Sequence, residues 1–134
     1  MSSKLPHDDP EFRERVSCAA RRAFLNIADV WSLSDREQID LLALDDVAVL
    51  EQFRQPSDEA LPGDVLLRIS YVLGIYRALR ILLPPDAADA TVRRSNKNVL
   101  FGGKSALAMM TTRDLADLAK VQAYLDAQTN PQWG

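Results

Sequence analysis

The chain has one cysteine and one histidine among its 134 residues, and five glycines. Each shortage removes a class of function. Cys18 alone cannot close an internal disulfide, and with no CxxC and no histidine cluster there is no metal framework. The one histidine, His7, sits in the first ten residues, so a histidine general base or triad has no candidate further on. HExxH and GxSxG are both missing. The acidic residues fall at helix starts and on exposed faces, where they have structural explanations. The expectation is a protein that is not an enzyme and needs neither metal nor cofactor. The opening MSSKLPHDDP lacks an apolar h-region, and the most apolar stretch, Val65 to Leu83, carries Arg68, Arg77 and Arg80. No membrane association is expected, and a single free thiol suits a cytoplasmic protein.

What is present is enough for a core. Apolar residues make up 47% of the chain, which supports one domain or two small helical lobes sharing an interior. The net charge of −3 is unevenly divided: residues 1–60 hold seven cationic and thirteen acidic side chains, residues 61–134 nine and six. The two halves therefore meet charged partners differently.

The periodicity predicts helices throughout. After a flexible tail over 1–10, Asp9 and Pro10 start a helix running to about Trp31. Phe12, Val16, Ala20, Ala23, Phe24, Ile27, Val30 and Trp31 form its apolar stripe, with Arg13, Arg15, Arg21 and Arg22 outward. Ser34 to Glu37 is a capping box, opening a short helix that buries Ile39, Leu41 and Leu42. Asp45 can cap a second short helix to about Gln55, holding Val47, Leu50 and Phe53. Two short helices behind a longer one form a helix-turn-helix arrangement, although such hairpins also occur without DNA function.

Breakers at Gln55–Asp58 and Leu61–Asp64 divide a region 11–60 from a region 61–134. Asp64 then caps Val65 to Leu83, apolar nearly all round and so expected at the centre of the fold. Gly74 in its middle implies close approach of another helix or of a second chain, and homodimerisation is the other use for so much apolar surface. Pro84-Pro85 ends this helix, Asp86 caps a turn to about Val92, and Thr111 caps a last helix holding Leu115, Leu118, Val121 and Leu125. No segment reads as a strand. The expected fold is all-α: an N-terminal helix-turn-helix-like lobe packed with a C-terminal helical lobe around the central helix.

Between them lies Val92 to Met110, VRRSNKNVLFGGKSALAMM, with a cationic knot of Arg93, Arg94, Lys97 and Lys104. Gly103-Lys104-Ser105 matches the end of a phosphate-binding loop, but Asn98 stands where the first glycine belongs and no strand feeds the turn. The pattern reads instead as a Gly-Gly reversal, with φ > 0 accessible at both glycines, letting Ser105 cap the next helix.

For DNA, the second short helix presents Asp46, Glu51, Gln52, Arg54 and Gln55 and is net negative, whereas phosphate contact supplies much of the affinity. Gln52 and Arg54 can read bases; phosphate contacts would fall to Arg36, Arg21 or Arg22. Weak operator binding by a dimer, or by a complex with a basic partner, stays open.

The C-terminal half resembles the toxin-binding domain of the Xre/MbcA/ParS antitoxin family. The resemblance rests on Arg68 to Tyr76 (RISYVLGIY) with Leu79, then Asn96, the run Leu100 to Leu107 (LFGGKSAL), Met110, and the closing Val121 to Ala127 (VQAYLDA). It covers roughly residues 63–134. A looser match to the family's Xre-like helix-turn-helix covers about 11–55. This chain departs at Ala43, where the turn often has glycine, at Ala106, often proline, and in its acidic recognition helix. The resemblance implies an antitoxin of a type II toxin-antitoxin system. Its partner would be an NAD-consuming toxin, of RES type or an ADP-ribosylating ParT type, whose NAD cleft the antitoxin's C-terminal region occludes. The implied toxin-binding residues are Asn130, Pro131, Gln132, Trp133 and Gly134, supported by Tyr124 and with Lys104 beside them, in a homodimer or a larger toxin-antitoxin assembly. An exposed terminal tryptophan also suits an interface anchor. The alternative is a DNA-binding autorepressor whose C-terminal half dimerises it.

Overall fold

A computed structural model describes residues 10–57, 59–96 and 101–129. The described residues are helical with no strand, so the fold is all-α. The order is α1 (Pro10–Val30), α2 (Asp35–Leu42), α3 (Val47–Arg54), α4 (Gly63–Leu82), α5 (Pro85–Thr91), α6 (Ala106–Met110) and α7 (Leu115–Thr129). Of the expected first start signal, Asp9 and the tail before it lie outside the described residues.

The buried stripe of α1 keeps the predicted Phe24, Ile27 and Trp31, with Ala20 and Val30 partly buried beside them, but its N-terminal half differs. Ser17, Arg21, Phe24, Ile27, Ala28 and Trp31 are buried, whereas Val16 is exposed. The segment after α3 folds back over α1, and there the Leu61 N–H donates to Ser17 Oγ at 2.8 Å. Arg21 is thus covered rather than solvated, its side chain lying against Phe53.

α1 and α2 end alike. Ser32 (φ 53°) and Ala43 (φ 52°) occupy the left-handed region. The next residue's N–H then reaches back five positions, Leu33 to Ala28 O and Leu44 to Ile39 O, in the manner of a Schellman motif. Leu33 and Leu44 are buried, supplying the apolar contact such endings favour. Arginines of the C-terminal half close both corners. Arg93 donates to the Trp31 and Ser32 carbonyls, and Arg113 to the Leu44 carbonyl at 2.7 Å and to Asp40 at 3.2 Å.

Four expected caps need correction. The cap of α3 is Asp46, whose Oδ1 accepts from Val49 N, rather than Asp45. α4 begins after Pro62 with no side-chain cap, since Asp64 sits inside the first turn and pairs with Arg68 four residues on. α5 begins after Pro84 with Pro85 in its first turn, where a missing N–H costs nothing, so Asp86 is not its cap. Thr111 closes α6, its hydroxyl donating to Leu107 O, while Asp114 Oδ1 accepts from Ala116 N at the start of α7. The capping box at Ser34 and the cap at Ser105 stand as expected.

α4 runs through the middle, touching α1, α2, α5 and α7. Ile69, Val72, Ile75 and Leu79 are buried in a core continuous from Phe24 to Val121, so one interior serves both halves of the chain. Burial is not all round: Leu67, Ile81 and Leu82 are 42%, 60% and 37% exposed. Arg80 staples α4 to α5 by pairing with Asp89 at 2.7 Å. Among the described residues, no helix is long and apolar enough to cross a membrane.

Candidate functional site

The Gly-Gly corner is built by its backbone. Gly102 (φ 56°) and Gly103 (φ 82°) both take left-handed conformations, as expected for the reversal. A β-carbon at either glycine would meet nothing within 4 Å, so the requirement is conformational, not spatial. Lys104 N donates to Phe101 O, Asn96 N to Lys104 O, and Ser95 and Ser105 form an isolated antiparallel bridge. Leu107 N donates to Val92 O, tying α6 back to the end of α5. Lys97 to Leu100 lie outside the described residues.

The reversal drives Phe101 inward, where it is 2% exposed. Tyr124 of α7 meets it edge-on, ring centroids 5.3 Å apart at 83°, an arrangement favoured by the ring quadrupoles. On the other side α7 lies along α4, where a β-carbon at Gly74 would run into the Gln122 side chain. The close approach expected at Gly74 is therefore met by α7 of the same chain. Beyond this contact a groove of about 350 Å³ opens between the last turns of α4 and α7, lined by Gly74, Arg77, Ile81, Gln122, Asp126 and Thr129. Arg77 makes no ion pair among the described residues.

Of the predicted partner-binding residues, Tyr124 is held by the corner, and Lys104 stands exposed on it with its side chain unpaired among the described residues. Asn130, Pro131, Gln132, Trp133 and Gly134 lie outside the described residues and follow directly from α7. The cationic knot is not uniformly outward. Arg93 turns back to α2, Nη1 to Glu37 Oε2 at 3.0 Å and Nη2 to Oε1 at 2.9 Å, while Arg94 remains exposed. The hydrogen-bonded guanidinium holds the Glu37 carboxyl below the usual glutamate range, and the carboxylate raises Arg93 in return.

The three predicted DNA-contacting residues do not form one cationic surface. Arg54 is shared between Asp35 at 2.6 Å and Glu51 at 2.7 Å, and the Asp35 hydrogen bond raises it above the usual arginine value. Arg36 is 76% exposed beside Asp40, and Gln52 stands at the rim of a separate pocket lined by Arg21. Among the described residues no three His, Cys, Asp or Glu side chains are grouped to hold a metal.

Sequence reasoning missed the burial of Arg21 and Arg68, and the way Arg93 and Arg113, partly exposed, turn back onto the N-terminal helices. The available signal was Ser17 and Arg21 at i, i+4 in register with Phe24 and Ala28.

The "uncharacterized protein y4oB" of Sinorhizobium fredii (strain NBRC 101917 / NGR234) is 39% identical over 111 residues, 82% of this chain and 84% of the relative. The chain belongs to the y4oB family. A match of that extent necessarily takes in α2 to α5 and the Gly-Gly corner, so the y4oB likeness is not confined to either half. No family model matches the chain, and no solved structure matches it.

Proposed function

We propose that the chain is the antitoxin of a toxin-antitoxin pair, neutralising an NAD-consuming toxin by filling its NAD cleft with residues 130–134. The supporting sequence is the Phe-Gly-Gly corner followed by the Tyr-Leu helix. The observation that carries the reading is the double anchorage of α7, through Tyr124 on Phe101 and through Gln122 beside Gly74. A helix held at two sides presents whatever follows it from a fixed point, which lowers the ordering cost of inserting a short segment into a cleft. The neighbouring groove, with exposed Ile81 and with Arg77 in no ion pair among the described residues, supplies surface on which the toxin can rest. Trp133, with the flat ring an NAD pocket accepts, is the proposed anchor.

Co-expression with the product of the adjacent gene tests this. The expected result is a neighbour that arrests growth alone and is harmless beside this chain. A neighbour that is harmless by itself, or one whose toxicity persists, removes the proposal.

A further inference from the structure

A second pocket, of about 180 Å³, lies where α1, α3, Ser57 and the described residues 59–62 meet, and is distinct from the α4–α7 groove. Its walls are apolar: Leu44, Val49, Phe53, Leu61 and Val65. Set into them is the guanidinium of Arg21, a residue only 6% exposed. The group is poorly compensated. Nη1 donates to the Ser57 carbonyl at 3.2 Å, Nε is sealed from solvent without an acceptor, and the Phe53 ring lies 5.6 Å from the guanidinium carbon. No carboxylate pairs with Arg21 among the described residues. Arg68, the other buried arginine among the described residues, pairs with Asp64.

A buried cation without a counterion is costly, and an anion that enters and hydrogen-bonds to it recovers much of that cost. We infer that this pocket binds a small organic monocarboxylate, its carboxylate on Arg21 and its short apolar body against Phe53, Val49 and Leu61. The size sets the body: a cavity of about 150 Å³ accepts a benzene ring, so one ring or a short alkyl chain fits and a nucleotide does not. Gln52 at the rim offers an amide donor to the second carboxylate oxygen. Glu59, also at the rim, is exposed and opposes an anion, which makes a single negative charge the most the site accepts.

The test uses the full chain with sodium benzoate and sodium butyrate as probes, and benzyl alcohol and sodium sulfate at matched ionic strength as controls. Binding is read by melting temperature and by amide shifts at Phe53 and Leu61. The expected result is a saturable stabilisation by a carboxylate probe that neither control reproduces. Glu59→Gln strengthens binding, whereas Arg21→Met weakens it by at least about tenfold, the value of a charge-assisted hydrogen bond. Because Arg21→Met also disturbs the interior, Val49→Phe supplies an independent variant that fills the pocket and leaves the guanidinium in place; it abolishes the benzoate shift. No saturable response to either carboxylate, an equal response to sulfate, or a benzoate response that survives Val49→Phe overturns the assignment.

Discussion

Arg93 and Glu37, 56 residues apart in sequence, meet in a two-pronged ion pair. The same guanidinium reaches two carbonyls at the end of α1, and Glu37 also accepts from Ser34 N in its capping box. One contact thus joins the Gly-Gly corner to the α1–α2 turn. Arg113 repeats the device at the α2–α3 turn. The corner that aims α7 is fastened to the N-terminal helices by these two clamps.

The Arg93–Glu37 pair makes stability depend on pH in the acid range. Glu37 is held below its usual value, so its contribution is complete above the unfolded glutamate pKa of about 4.3 and is lost as pH falls through the folded value. Both side chains are partly exposed, so the loss is below about 1 kcal/mol. Urea unfolding at pH 7 and pH 3 should show Glu37→Gln removing part of the acid sensitivity. Arg93→Ala should cost more than Glu37→Gln at pH 7, about 1.5–3 kcal/mol, because it also strips the carbonyls of Trp31 and Ser32.

Ala43 carries strain that glycine would not. An L-residue in the left-handed region costs about 1–2 kcal/mol, and glycine's extra freedom when unfolded returns about 0.4–1 of that. Ala43→Gly should therefore stabilise by up to about 1.6 kcal/mol, seen as a higher urea midpoint at unchanged slope. Ala43→Val should destabilise, a branched side chain being poorly tolerated at φ 52°.

At Gly74 the contact is with the end of a flexible side chain, so the size of the replacement decides the outcome. Alanine regains about 1 kcal/mol of helix propensity while Gln122 swings aside, leaving stability near that of the native chain. Leucine forces α7 off α4 and should cost about 1–3 kcal/mol. Thermal unfolding of the two variants separates these cases.

The helices were legible where a local pattern specified them. The Ser34–Glu37 capping box and the Gly-Gly reversal depend on neighbours in sequence, and both stand as read. Asp64 and Thr111 had the right chemistry for caps but found partners elsewhere, in Arg68 and in the Leu107 carbonyl. Arg21 looked solvated because helical periodicity carries no information about a loop 36 residues on whose Ser57 carbonyl covers it. The knot at Arg93 misled for the same reason, since the Trp31 and Ser32 carbonyls it closes are left open only once α1 has ended at Val30 and the chain turns at Ser32. The predicted inhibitory residues, 130–134, lie outside the described residues, and the role proposed for them rests on resemblance and on the anchorage of α7.

That anchorage predicts a graded response at Tyr124. Tyr124→Phe keeps the ring against Phe101 and should keep protection against the toxin. Tyr124→Ala loses the ring pair, worth about 0.5–1.5 kcal/mol beyond its buried area, and should weaken protection while the protein stays folded by circular dichroism. Equal protection by both variants would detach the corner from inhibition.

The central claim is tested most directly with the purified product of the adjacent gene, by following NAD consumption as this chain is titrated in. The full chain should inhibit stoichiometrically. A chain ending at Thr129 should keep the helical fold and lose most of the inhibition, and Trp133→Ala should fall between them. NAD consumption that continues at saturating full-length chain would contradict the account.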